Sequence, residues 1–337
     1  MDETTKVIII GSGLAGLSIA SELSEKYNLD SIILEKEAVA ASTWFNMPDF
    51  LNLVSPWYCN RPFLLKKIIS PFYKMPAKEY GKLLQDYAEK TSFDIRYSQK
   101  VSTVTCINNN FTIETLNKTY KSKVVIQATG YYSFPFTPNY PGLQNTKIKT
   151  VHFKDYKNPE TSLKEAQNIL IIGKRISAGQ LLLELSDRFN VSLSTRSEII
   201  YGPGEFIWSI IFPIYPLLER VGLLFNKFKA AQKVNMFGGR TKQLIESGKV
   251  KLFQDIKCFH ENEVEFMDGQ KICFDVVVFT TGFKYSNKFS LETKEGFFEL
   301  GKEGQTNYRS RFLRGIRNDT KDLVKEIYKY LNSNDKK

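Results

Sequence analysis

The 337-residue sequence contains only two histidines, His152 and His260, and four cysteines, Cys59, Cys106, Cys258 and Cys273. So few histidines argue against a histidine-rich metal centre. The cysteines nowhere adopt C-x-x-C spacing, which argues against a redox-active dithiol and suits reduced thiols in a cytoplasmic protein. No stretch of 18 apolar residues occurs, so no spanning helix is expected. The first five residues are acidic and polar, unlike the basic start of a secretory signal. Long basic runs are also missing. Lys and Arg total 47 against 36 Asp and Glu, a formal charge of +11, but the densest basic group is only Arg309, Arg311, Arg314 and Arg317. Positive charge spread this thinly fits an enzyme that handles anionic dinucleotides better than a nucleic-acid binder.

What is present is an alternation of strand-like and helix-like segments, the pattern of an α/β protein. Val7–Ile10 is a continuous β-branched run, as expected for a strand buried on both faces. Leu14–Tyr27 carries apolar residues at helical spacing, and Ser31–Leu34 returns to strand. Lys78–Lys90 reads as an amphipathic helix. Val101–Ile107, Phe111–Leu116 and Val124–Ala128 read as strands. Residues 131–165, rich in Pro, Tyr and Phe, read as a crossover. A second strand–turn–helix–strand unit then runs through Asn168–Ile172, Gly173–Gly179, Gln180–Phe189 and Val191–Thr195. It repeats the start of the chain, which predicts two doubly wound units. A paired β region follows (Val250–Phe253, Glu263–Phe266, Lys271–Phe274), then a strand at Val276–Thr280 and a C-terminal helix around Asp319–Leu331.

The chemistry-bearing motif is Gly11-x-Gly13-x-x-Gly16, directly after a strand and opening a helix. Gly11 permits the tight turn, Gly13 lets backbone approach a pyrophosphate, and Gly16 allows close helix–strand packing. The helix start, with Leu14 and Ala15, favours phosphate charge. Glu35 ends the second strand, 19 residues after Gly16, where a carboxylate accepts from an unphosphorylated ribose; Lys36 follows it. This fits FAD or NAD rather than NADPH at the first site. Ala128-Thr129-Gly130 and Thr280-Thr281-Gly282 each end a strand in Thr-Gly, where a small turn can pass close to a cofactor.

The order and spacing of these pieces resemble the class B flavin monooxygenases, which include the flavin-containing monooxygenases and the plant YUCCA-type enzymes. Ser42-Thr43-Trp44 resembles the family's segment beside the flavin, and Leu51–Pro56 its Leu-x-Leu-x-Thr-Pro. Ala128-Thr129-Gly130-Tyr131 matches its Ala-Thr-Gly-Tyr, and 248–275 is similar to the stretch before the second Thr-Gly. The resemblance covers nearly the whole chain. It implies that NADPH reduces FAD, that O2 adds to form a C4a-(hydro)peroxyflavin, and that one oxygen passes to a small organic substrate. On that basis Asn46, Asn52 and Ser55 are candidates for contacts near the isoalloxazine. Gly11, Gly13, Leu14, Ala15, Gly16, Glu35, Lys36, Thr43, Trp44, Val101, Ala128, Thr129 and Gly130 form the expected FAD set. Gly173, Lys174, Arg175, Ser177, Ala178, Arg196, Thr281 and Gly282 form the expected NADPH set.

Two departures from the family pattern stand out. Arg175 occupies the place of the second glycine, where it can either block the pyrophosphate or contact it through charge. His152 and Tyr156 keep only the last part of the family's Phe-x-Gly-x-x-x-His-x-x-x-aromatic signature. The implied plan is an FAD-binding domain of residues 1–165 and 284–337, with an NADPH-binding domain of 166–283 inserted, both Rossmann-like. Two other outcomes stay open: a different FAD-dependent NAD(P)H oxidoreductase or oxidase, and a flavoprotein whose nicotinamide site is degenerate. The broken apolar segment 206–218, FIWSIIFPIYPLL, reads as a buried inter-domain helix pair, a channel wall or a peripheral membrane contact.

Overall fold

A computed structural model describes residues 3–61, 69–70, 72–202, 235–285, 289, 291, 294–302, 304–306 and 309–334. The segment 206–218 lies outside them. Two sheets dominate the described residues. The first has the strand order β3-β2-β1-β6-β5-β4, formed by β1 (Glu3–Ile10), β2 (Ile32–Leu34), β3 (Asp94–Arg96), β4 (Val101–Ile107), β5 (Asn110–Thr115) and β6 (Thr119–Gln127). Strands β1, β2 and β3 run parallel, and β4, β5 and β6 form an antiparallel meander joined in parallel to β1. The second sheet is wholly parallel, in the order β12-β9-β8-β16-β7. Its strands are β7 (Lys149–His152), β8 (Asn168–Ile172), β9 (Asn190–Ser194), β12 (Lys251–Phe253) and β16 (Val276–Phe279). Two short strands, β10 (Tyr201–Gly202) and β11 (Met236–Phe237), pair beside it. An antiparallel sheet of β13 (Ile256–Phe259), β14 (Glu263–Phe266) and β15 (Lys271–Cys273) completes the set, apart from β17 (Phe297–Glu299).

The central strands are apolar without alternation because both of their faces are covered. Val7 and Ile9 pack with Leu17, Leu23 and Ile327, whereas Ile8 and Ile10 pack with Phe111, Ile113 and Tyr120 on the other face. The second sheet repeats this division: Ile169 and Ile171 face Leu181 and Leu185, while Leu170 and Ile172 face Phe259 and Phe266. The helices are α1 (Leu14–Tyr27), α2 (Ser42–Phe45), α3 (Trp57–Asn60), α4 (Ala77–Lys90), α5 (Pro159–Ser162), α6 (Ile176–Leu185), α7 (Arg240–Glu246) and α8 (Leu313–Asn334). The expected C-terminal helix is present as α8, longer than its apolar periodicity marked. Its Leu323, Val324, Ile327 and Leu331 join the core cluster of α1, and Tyr328 lies 4.5 Å from Tyr27 by ring centroid.

Chain order and sheet membership cross twice. Strand β7, although it precedes residue 165, pairs with β16 as the edge of the second sheet. Strand β17 brings the chain back to the first sheet, pairing Phe297–Glu299 with Val125–Gln127. Helix α6 begins at Ile176 rather than Gln180, because the turn after β8 is tighter than the sequence pattern implied.

Candidate active site

A cavity of about 940 Å³ lies at the carboxyl ends of the strands and is lined by both units. This is where open α/β sheets bind ligands. Its floor is the turn from β1 into α1. Gly11 takes φ +105°, and a Cβ there would stand 2.8 Å from the carbonyl oxygen of Ala128. Gly16 lies tighter still: its Cβ would meet the carbonyl oxygen of Gly11 at 1.9 Å. Gly13 is different. It has ordinary extended backbone (φ −75°, ψ −171°), and a Cβ there would meet nothing within 4 Å, because the position opens on the cavity. Helix α1 has no side-chain cap, so its first N–H groups, at Leu14 and Ala15, face the same space. An uncapped helix start beneath an open glycine is a cradle for a pyrophosphate.

Glu35 supplies the second contact. It is buried, and its Oε2 accepts from the Ser12 amide (2.8 Å) and the Ser12 hydroxyl (2.6 Å), while Oε1 accepts from the Glu37 amide (3.0 Å). A carboxylate offers about four lone-pair positions. Three are taken within the protein, which leaves Oε1 room for one hydroxyl of a ribose in the cavity that Glu35 lines. Ser12 is thus a positioning residue that the motif hides under one of its unspecified positions. Lys36, Thr43, Trp44, Val101, Ala128, Thr129 and Gly130 also line the cavity, and Trp44 is braced edge-on by Tyr80, 4.8 Å away. These residues and this volume fit FAD.

Of the three candidates near the isoalloxazine, Asn52 and Ser55 line the cavity. Asn46 does not. It follows α2, and its backbone and side-chain oxygens accept from Lys157 Nζ at 2.6 and 3.5 Å, so it joins α2 to the loop before α5. Ser55 is itself engaged: its hydroxyl donates to Asn60 Oδ1 (2.7 Å), and Asn60 Nδ2 donates back to the Ser55 carbonyl (2.5 Å). Buried Asn60 lines the cavity and went unread in the sequence, where nothing separates it from an ordinary turn residue.

The second turn is a structural copy of the first. Gly173 takes φ +141°, and its Cβ would lie 2.8 Å from the Thr280 carbonyl oxygen, as that of Gly11 does from Ala128. The Gly173 amide donates to Ser194 O (3.1 Å), as the Gly11 amide does to Leu34 O (2.8 Å). Helix α6 also lacks a side-chain cap, and Ile176, Ser177 and Gln180 line the cavity. The rest of the second set stands elsewhere. Gly173 and Ala178 serve packing. Thr281 donates to Phe136 O and Gly282 accepts from the Phe136 amide, which stitches the β16 end to the crossover. Lys174 Nζ donates to Ser197 Oγ (2.5 Å) and Glu198 O (2.8 Å). Arg175 is exposed and precedes α6 in extended backbone outside the cavity wall, and Arg196 is exposed just past β9.

His152 ends β7 at the edge of the second sheet, paired with Phe279 of β16. Its Nδ1 accepts from the Lys154 amide (3.1 Å), which leaves Nε2–H to donate to the Gly282 carbonyl (3.1 Å). Burial lowers its pKa below the ordinary histidine value, so the ring is neutral and structural. His152→Ala will strand the Gly282 carbonyl and the Lys154 amide, at about 1–3 kcal/mol of stability in denaturant titrations. Because the folded state holds fewer protons than the unfolded one, the wild-type contribution is complete above the unfolded pKa near 6.5 and is lost as the pH falls toward the lower folded value. The variant will lack that part of the acid slope.

Comparison with known proteins agrees with this geometry. Residues 8–205 match the family model described as pyridine nucleotide-disulphide oxidoreductase, more than half of the chain. The chain belongs to that family. A CzcO-like oxidoreductase of Geobacillus kaustophilus is 27% identical over 97% of this chain and 99% of its own length. A probable indole-3-pyruvate monooxygenase of Arabidopsis thaliana, YUCCA1, is 28% identical over 82% of this chain and 75% of its own. The flavin-containing monooxygenase of Stenotrophomonas maltophilia shares the fold with a TM-score of 0.78, at 20% identity, over 98% of this chain and all of that one. The resemblance to flavin-dependent monooxygenases therefore holds, as does the architecture of two Rossmann-like units. This member of the family is an oxidoreductase for which FAD, with NADPH as its usual partner, is the implied cofactor. Among the described residues, no helix is long and apolar enough to cross a membrane.

Proposed function

We propose that this chain is an FAD-dependent monooxygenase that is reduced by NADPH and delivers one atom of O2 to a small organic substrate. The observation that carries the reading is that one cavity reaches the uncapped starts of both α1 and α6. Two dinucleotides seated on those helix starts meet in a shared space. On this reading the domains are those of the two sheets, the first for FAD and the second for NADPH. FAD, held by the residues of the first unit, would supply hydride acceptance and, once reduced, activation of O2.

The chain's own residues bind, orient and exclude water. Gly13 and the α1 amides hold the pyrophosphate, Glu35 accepts from a ribose hydroxyl, and Ser12 keeps that carboxylate turned toward the cavity. Trp44, Leu51, Leu53 and Phe153 give the inner wall an apolar character that keeps water from the reacting atoms. Asn52 is a side-chain amide on the cavity wall that would donate near the ring. No described cysteine sulfur lines the cavity, which favours oxygen chemistry over dithiol exchange.

Stopped-flow mixing tests the reading. NADPH added without oxygen should bleach the flavin, and later mixing with O2 should give the transient absorbance of a C4a adduct. Failure to bleach would remove any NADPH-driven role. Bleaching followed by direct reoxidation, with no transient, would make the protein an oxidase or reductase.

A further inference from the structure

Away from the cavity, the outer face of the sheet of β13, β14 and β15 gathers three side chains that the oxidoreductase reading does not use. Cys258 lies on β13 and His260 follows the strand's last residue, two positions on, where its amide still donates to the Glu263 carbonyl of β14 (2.8 Å). Glu265 on β14 is the cross-strand partner of Cys258. Cys258 Sγ lies 3.4 Å from His260 Nε2 and 3.4 Å from Glu265 Oε2, and His260 Nε2 lies 2.8 Å from that same oxygen. The opposite face of this sheet carries Phe259, Val264 and Phe266 into the core. The trio therefore rests on rigid backbone and opens outward.

We infer that Cys258, His260 and Glu265 form a binding site for a borderline-soft divalent cation of the zinc type. The donor set is one thiolate, one imidazole and one carboxylate, which selects such ions over calcium or magnesium. Zinc bonds of about 2.3 Å to sulfur and about 2.0–2.1 Å to nitrogen or oxygen place neighbouring donors about 3.3–3.6 Å apart in a tetrahedron. Two of the three edges already have that length. The third, at 2.8 Å, is a hydrogen bond whose proton a cation would replace, and it needs to open by only about 0.6 Å to reach that range.

Charge balances as well. A thiolate, a carboxylate and a neutral imidazole around a dication sum to zero. Glu265 Oε2 already faces both other donors, 3.4 Å from Cys258 Sγ and 2.8 Å from His260 Nε2. Lys257 Nζ takes Oε1 at 2.7 Å and leaves Oε2 for the ion, while Lys271 stands 3.9 Å from Oε2 and would be displaced. Three protein ligands leave a fourth position for water.

The test uses full-length, FAD-loaded protein dialysed against micromolar zinc, with metal per chain read by elemental analysis. We expect one zinc per chain in the wild type, and binding weakened at least about tenfold in Cys258→Ser, His260→Ala and Glu265→Gln. Cys106→Ser, on the first sheet, should retain it. Flavin content and melting temperature check that each variant folds. Independently of any substitution, zinc should slow alkylation of Cys258 in the wild-type protein, read by peptide mass mapping. No retained zinc, equal retention by the variants, or an unchanged Cys258 alkylation rate would overturn the site.

Discussion

Gly13→Val is expected to yield a protein that folds but carries no flavin, whereas Gly16→Ala is expected to fail in folding itself. The two glycines sit three residues apart in one motif, and sequence alone gives them equal weight. Their surroundings do not. At Gly13 the backbone is extended and a side chain points into open cavity, so the substitution costs only about 1 kcal/mol for a poorer helix N-cap. The isopropyl group then occupies the space a pyrophosphate needs. Losing two charge-assisted hydrogen bonds at about 1.5–3 kcal/mol each weakens binding by two orders of magnitude or more. At Gly16 a Cβ would stand 1.9 Å from the Gly11 carbonyl oxygen, and neither backbone can yield without separating α1 from β1. That exceeds ordinary overpacking, which costs about 1–3 kcal/mol. Flavin absorbance relative to protein absorbance, read beside far-ultraviolet circular dichroism and a melt, separates the two results. A flavin-loaded Gly13→Val protein would show that FAD does not lie on α1.

The distinction marks how far the sequence was legible. Spacing and β-branched runs located β1, α1, β8 and β16 within a few residues, because buried parallel strands have no other way to be written. The short edge strands β3, β7 and β17 escaped, since three or four residues carry no period and their pairing is decided by distant chain. At the site, the glycines and Glu35 were readable from their place in the motif. Ser12, which fixes Glu35, was not, because a hydroxyl at an unspecified position acquires its role only when the β2 end folds beside it. Asn46 stands apart for the converse reason: its neighbours Thr43 and Trp44 reach the cavity, but the turn after α2 brings Asn46 to Lys157. Cys258, His260 and Glu265 looked unrelated in a chain poor in cysteine and histidine. The register of β13 on β14 is what brings them together.

The family resemblance implies that Arg196 meets a 2′-phosphate, and its place near the end of β9 is compatible with that role. Strand β9 lies beside β8 as β2 lies beside β1, with Ile172 opposite Ser194 and Ile10 opposite Leu34. Glu35 follows β2 directly; its register equivalent after β9 is Thr195, and Arg196 stands one residue further on. On the proposed function, the carboxylate would favour a bare ribose and the nearby guanidinium a phosphorylated one, so the two charges would sort the two dinucleotides between the two units. Arg196→Ala should therefore raise the KM for NADPH by about 10- to 100-fold, the loss of a charge-assisted contact of about 1.5–3 kcal/mol. The KM for NADH should stay within about twofold, since NADH offers no 2′-phosphate to lose. Arg196 is exposed, so stability should stay within about 0.5 kcal/mol of wild type. Arg196→Lys should recover part of the loss as a point charge without the planar fork. Steady-state flavin reduction with both nucleotides reads all of these at once. A parallel rise in both KM values would place Arg196 outside the 2′-phosphate site. In that case Arg175, exposed at the start of α6, becomes the cation to test for phosphate contact.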